Sequence, residues 1–233
     1  LDAQLMGSLG LSLHEESKVK DTATLKERLQ HNGKLVDSLE EAIRAAGLKD
    51  GMTISFHHHF RDGDYVLNTV VETISRMGYK DITVASSSLS NAHAPLVQYI
   101  QDGTVTALQS SGCRGKLADA ISKCEVQLKQ PVIFRSHGGR AAAIANGSLH
   151  IDIAFLGVAS CDALGNASGT NESGESMCGS LGYARVDARY ADKVYEIRHA
   201  APGILKTKKG IGGIGDAVCA DIEPLGLGSA TFN

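Results

Sequence analysis

No apolar run in this 233-residue sequence approaches the ~20 residues that a membrane-spanning helix needs. No positively charged stretch precedes an apolar core near Leu1, so a secretory leader is not expected. The five cysteines, Cys113, Cys124, Cys161, Cys178 and Cys219, include no CxxC pair. An odd number of thiols without a leader points to a reducing compartment. The expectation is a soluble cytoplasmic protein that touches no membrane. A formal net charge of only -3, with both signs spread along the chain, argues against a nucleic-acid surface. Tryptophan is absent and aromatics make up only 5% of the chain, whereas glycine reaches 26 residues. Many of those glycines fall just after apolar runs, where a chain must turn sharply or approach a ligand.

Five apolar runs share one plan. Residues 52–56 lead into a histidine cluster, 82–85 into serines, 105–109 into Ser-Ser-Gly, 132–134 into Arg-Ser-His-Gly-Gly-Arg, and 151–158 into small polar residues. Buried parallel strands read this way when they deliver loops to a ligand crevice. Between them lie amphipathic segments at 38–46, 64–76, 95–101, 116–123 and 139–145. Asp37 is the expected cap of the first and Gly47 its stop. A further short helix is expected at 187–192, then a strand at 193–197. The alternation predicts an α/β fold: an open, mostly parallel sheet with helices on both faces. Residues 1–34 read as an N-terminal arm with one helix near 22–31, 35–199 as the α/β domain, and 200–233 as a glycine-rich segment of uncertain assignment. The stretch 166–182 breaks the alternation and is rich in Gly, Ser and Asn, which marks it as a functional loop.

In open α/β sheets, ligands sit at the carboxyl ends of strands. The loops there carry the candidate residues. In Ser55-Phe-His-His-His-Phe-Arg61, His57 and His59 share a side of extended backbone and His58 opposes them. Adjacent histidines make a poor tetrahedral site, so no metal is expected. Anion binding by His58 and Arg61 is the functional alternative to a merely polar strand end. Ser88 and Ser111 lie in hydroxyl-rich turns suited to phosphate or carboxylate, and Arg114 adds a two-point cation. Neither turn is a Walker loop, and Ser88 lacks a nucleophile elbow. Ser136, Gly138 and Gly139 surround His137, a candidate general acid/base, and Arg140, a candidate carboxylate holder. Cys161 and Cys178 read as pocket-lining rather than thiolate nucleophiles. The Gly210 repeat lacks the strand and distant acid of a dinucleotide site.

At these loops the sequence resembles the α subunit of citrate lyase, the citrate CoA-transferase component, over about residues 35–194. The residues that carry the likeness are Ser55 to Arg61, Ala85 to Leu89, Ser111 to Gly115, Ser136 to Arg140, Ile151 to Asn166, Cys178 to Ala184 and Val186 to Val194. The resemblance is to the N-terminal half of a family chain built from two similar halves. It implies a CoA-transferase-like (Rossmann-like) domain that exchanges acetyl for citryl on an acyl-carrier-protein thioester. It also implies no covalently bound cofactor, with a CoA-type thioester, the dephospho-CoA-derived arm of the carrier or acetyl-CoA, as substrate. Gly157, Ser160, Gly179 and Ser180 would lie along that arm. The implied partners are citrate and the β (lyase) and γ (acyl carrier) subunits, in an oligomer. Glu223 only approximates the nucleophile motif of another CoA-transferase class and receives no covalent role. Citramalate in place of citrate stays open. So do a sugar-phosphate isomerase, for which Asp162 is the only good base, and a non-catalytic metabolite-binding domain.

Overall fold

The computed structural model describes residues 35–57, 64–161, 165–169, 184–198 and 217–219. The expected helix at 22–31, Asp162, Cys178, most of 166–182, the Gly210 repeat and Glu223 lie outside them. Eight strands form one sheet: β1 (Leu35–Val36), β2 (Thr53–Phe56), β3 (Ile82–Ser86), β4 (Val105–Ser110), β5 (Ile133–Phe134), β6 (Ile153–Val158), β9 (Lys193–Arg198) and β10 (Ala217–Cys219). Their order is β1-β10-β9-β6-β2-β3-β4-β5, and every pairing is parallel. Two short strands, β7 (Ser160–Cys161) and β8 (Ala167–Ser168), pair antiparallel beside it. From β2 the chain steps outward through β3, β4 and β5, then returns to place β6 on the other flank of β2. The strand order therefore reverses between β2 and β6, which is where open α/β sheets form their crevice.

The helices are α1 (Leu39–Ala46), α2 (Val66–Arg76), α3 (Leu96–Gln101), α4 (Gly115–Ser122), α5 (His137–Ala145) and α6 (Arg185–Tyr190). None among the described residues is long and apolar enough to cross a membrane. The cap of α1 is Ser38 rather than Asp37: its hydroxyl accepts from the Glu41 amide at 3.1 Å, while Gly47 ends the helix at φ 71°. Asp64 opens α2 by accepting from the Val66 amide at 3.1 Å.

The two faces of the sheet differ in what they bury. One packs Ile43, Leu67, Val70, Ile74, Leu96 and Leu117 from α1 to α4 against the larger strand residues, among them Ile54, Phe56, Val84, Leu108 and Phe155. The other is built of small side chains. Ala85, Ala154 and Leu156 meet Ala143 and Ile144 of α5 and Ala188 of α6, with Ala184 and Ala191 flanking α6. Ser55 belongs to this second face, in register with Ala85 on β3 and Ala154 on β6. That row of short side chains leaves space beneath α5 and α6 for a polar group to descend onto the sheet.

Two strands of the sheet escaped the sequence pattern. β1 has two residues and β10 three, too short for periodicity to register. β10 comes from the glycine-rich C-terminal segment and pairs between β1 and β9.

Candidate functional site

Because all eight strands run parallel, the loops after β2, β3, β4, β5 and β6 open on one edge. The turns after β3 and β4 are built alike. Ser86 ends β3 and donates to the Ser88 carbonyl at 2.9 Å; Ser110 ends β4 and donates to the Gly112 carbonyl at 2.8 Å. The turns also brace each other. Ser111 donates to the Ser87 carbonyl at 2.7 Å, the Leu89 amide to Gly112 at 2.8 Å, and the Arg114 amide to Leu89 at 3.1 Å. Gly115 has φ +68°, and a Cβ there would collide with the Asn91 side chain, so only glycine fits. Ser88, Ser111 and Arg114 are thus brought together, with Arg114 exposed at the start of α4.

Ser136, His137, Gly138 and Gly139 sit beside them, since the Arg135 amide donates to the Ser110 carbonyl at 3.0 Å. The expected loop here is instead a helix start. Ser136 is the N-cap of α5, its hydroxyl accepting from the Gly139 amide at 3.1 Å, and the helix begins at His137, not Gly139. Two adjacent glycines, poor helix formers, conceal that start in the sequence. Ser136→Ala is expected to cost about 1 kcal/mol, the usual worth of such a cap. Urea denaturation followed by circular dichroism checks it.

Arg140 is where structure and expectation part. A guanidinium waiting for a substrate carboxylate should be reachable, but Arg140 is 2% exposed. It points from α5 onto the small-residue face and meets an internal carboxylate. Nη2 donates to Asp187 Oδ1 at 2.7 Å and Nη1 to Oδ2 at 2.9 Å, a two-point fork. Nη2 also reaches Ser55 Oγ at 2.9 Å and the Ala85 carbonyl at 3.3 Å. Asp187 in turn accepts from the Ser55 hydroxyl and holds His57 Nε2 at 2.5 Å. Ser55 and Asp187 are wholly buried and His57 nearly so. Burial alone would push the Asp187 carboxyl up; the facing His57 and Arg140 overcome it and hold the group well below the usual carboxylate range.

The sequence motifs do not single out Ser55, His57 or Asp187 as site residues, yet a signal exists. Arg140 shares its helix face with Ala143 and Ile144, and Asp187 shares one with Ala184, Ala188 and Ala191. A charged residue on an apolar helix face demands a buried partner. Two such residues of opposite sign suggest each other.

The remaining expected residues divide. Gly157 is buried inside β6 opposite Ile197, and Ser160 is half-buried in β7 opposite Ser168. His58, Arg61, Gly179 and Ser180 lie outside the described residues. Cys161 is half-buried in β7, and burial pushes the Cys113 thiol up. Among the described residues, His150, Asp152 and Asp192 bring three ligand-type atoms within 4.8 Å of one another. They stand at the amino ends of β6 and β9, on the edge opposite the loops. A cavity of ≈540 Å³ under the 121–132 connection is lined by Ile121, Val126, Leu128 and Val132, and none of the expected site residues lines it.

Comparison with known proteins agrees with this arrangement. Residues 32–206 match the family model for the citrate lyase α subunit (CitF). The citrate lyase α chain of Haemophilus influenzae is 56% identical over 167 residues, 72% of this chain and 33% of that protein. That of Escherichia coli is 55% identical over 161 residues, 69% of this chain and 31% of that protein. The matched segment therefore spans about a third of each curated relative. A crystal structure described as the alfa subunit of citrate lyase from Streptococcus mutans, in complex with citrate, is 45% identical at a TM-score of 0.76. It is matched over 91% of this chain and 41% of that one. RipA from Yersinia pestis, 14% identical at a TM-score of 0.55 over 88% of this chain and 46% of that one, shares the fold alone. The strand order, the loops at its carboxyl edge and these matches give one answer: the chain belongs to the citrate lyase α-subunit family.

Proposed function

We propose that this chain carries the citrate-receiving part of a citrate:acyl-carrier-protein transferase, the step that leads to cleavage of citrate into acetate and oxaloacetate. The observation that carries the reading is the likeness, at 45% identity over 91% of this chain, to the Streptococcus mutans protein described in complex with citrate. In the proposed reaction a citrate carboxylate oxygen attacks the acetyl thioester carbonyl. The C–S bond breaks and the thiolate leaves, giving a mixed anhydride. The thiolate then attacks the citryl carbonyl, the C–O bond breaks, and acetate departs. No protein nucleophile is consumed; the protein has to align two anionic reactants and stabilise oxyanions.

The described loops suit that task. Ser88 and Ser111 present hydroxyl-rich turns, Arg114 an exposed cation, and His137 an exposed imidazole at the amino end of α5, where free amides also favour anions. In this reading His58 and Arg61 complete the citrate pocket, and His137 is the acid/base or oxyanion donor. Gly157 and Ser160, with Gly179 and Ser180, lie along the thioester arm. Arg140 serves the site from beneath rather than by touching substrate. The thioester belongs to a dephospho-CoA-derived arm on the γ subunit, the product passes to the β subunit, and the complex works in the cytoplasm.

Acyl exchange between acetyl-CoA and labelled citrate tests the reading, with this chain alone and supplemented by the remainder of a family α chain. Label entering a citryl thioester in the supplemented reaction is the expected result, and replacing His137 by Ala should lower its rate by about 10²-fold or more. No exchange in either reaction, with ribose 5-phosphate rather than citrate raising Tm, would favour the isomerase alternative.

A further inference from the structure

With Arg140 spent on Asp187, a polycarboxylate at these loops needs another cation on the α5 side. Five positions earlier stands a second arginine, Arg135, in the step from β5 to α5. Its setting is the reverse of that of Arg140. Arg140 is sealed in, whereas Arg135 is half-buried and is followed by the exposed Ser136, His137 and Gly138. Arg140 meets a carboxylate that neutralises it; among the described residues no Asp or Glu pairs with Arg135. What holds Arg135 is neutral. Its Nη1 donates to the side-chain oxygen of Gln109, and its amide donates to the Ser110 carbonyl at 3.0 Å. A neutral acceptor fixes the pose of a guanidinium without cancelling its charge, and it leaves most of the donor fork open. Gln109 is placed for this by the sheet. It lies in register with Ala85 on β3 and Ile133 on β5, so its side chain rises from the same face as Ser55.

We propose that Arg135 binds a carboxylate of the polycarboxylate substrate by a two-point contact, the role that Arg140 is not free to fill. Gln109 is its positioning residue. The bond to Ser110 ties Arg135 to the turn that carries Ser111, so the carboxylate is received between that turn and the start of α5. Arg114 opens α4, which packs on the opposite face of the sheet, and the two arginines therefore offer cations on either side of the turn. A substrate with three carboxylates calls for more than one such contact. The assignment rests on the functional reading above and names the cation within it.

The test uses the 233-residue chain with citrate as probe, read by isothermal titration calorimetry, and Tm measured on the same samples. Arg135→Gln removes the charge and should bind citrate about tenfold more weakly or worse, with Tm close to wild type. Arg135→Lys keeps the charge but loses the fork and should fall between the two. Gln109→Glu sets a carboxylate against the guanidinium. It should hold or raise Tm while weakening citrate binding, a split that a merely structural role for Gln109 would not produce. Lys123→Gln, which removes the same charge at the far end of α4, should bind like wild type. A folded Arg135→Gln chain of wild-type affinity overturns the proposal, and so does an equal loss in Lys123→Gln, which would make the effect one of net charge. Arg135→Lys equal to wild type overturns the two-point contact, and Gln109→Glu equal to wild type overturns the role of Gln109. A wild-type chain that ignores citrate strikes the functional reading and takes this assignment with it, a failure distinct from wild type and variants binding alike.

Discussion

Arg140→Met with Asp187 left in place is expected to lower the unfolding free energy by about 3–5 kcal/mol, the cost of stranding a buried charge. At about 2–4 °C per kcal/mol for a chain of this size, Tm should fall by on the order of 10 °C. The cost is large because Asp187 has no exposed surface to rehydrate and loses both prongs of its fork. His57 and Ser55 remain as its partners. The companion result separates charge from packing: Arg140→Met/Asp187→Ala should recover most of the loss, because no uncompensated charge is left.

The pH dependence has a definite sign. The folded carboxyl of Asp187 lies below its unfolded value, with burial opposing and the facing His57 and Arg140 prevailing. Its contribution is therefore complete above the unfolded carboxylate pKa of about 3.9 and is lost as pH falls below that, toward the lower folded value. The gap in stability between wild type and the single variant should accordingly be widest near neutral pH and narrow below about pH 4. Urea titrations at a series of pH values measure it. A gap that is constant down to acid pH would mean that Asp187 is not the charge being stranded.

How much of this was legible in the sequence depends on the length scale of the signal. Helices and strands with several residues of period were read in place. β4 and α2 are examples, off by one or two residues at the ends where Ser110, Asp64 and Tyr65 manage the transition. The crevice was anticipated because each strand run ended in small polar residues. Spatial order was less accessible: nothing in 151–158 announces that β6 returns to the flank of β2, and β1 and β10 are too short to show a pattern. Arg140 shows the deeper limit. A motif such as Ser-His-Gly-Gly-Arg displays chemical potential, but whether its cation faces a ligand or a buried carboxylate depends on Asp187, forty-seven positions later. The decisive information was the coincidence of two charges on two alanine-rich helix faces, which no single motif contains.

Phe155→Ala is the other substitution expected to act strongly, and it reaches the same crevice from the opposite face of the sheet. In a chain poor in aromatics, Phe56, Phe155 and Tyr195 stand in register on β2, β6 and β9. Phe155 is fully buried and stacks on both neighbours, with ring centroids 5.9 Å apart at interplanar angles of 17° and 28°. Removing it forfeits the burial of a large ring and leaves a cavity, about 3–5 kcal/mol, with about 0.5–1.5 kcal/mol more for each stacked pair lost. Phe155→Leu keeps most of the volume and should cost clearly less, which distinguishes lost packing from a general intolerance of the strand. The row also ties β2 to β6, the two strands whose divergence makes the crevice. Residue 56 is bonded to residue 57, so slack introduced under Phe56 should be felt at the histidine. Phe155→Leu is therefore expected to weaken citrate binding modestly at a temperature where the chain stays folded. Calorimetry on that variant would show whether the aromatic row serves the site as well as the core; an affinity identical to wild type would confine it to the core.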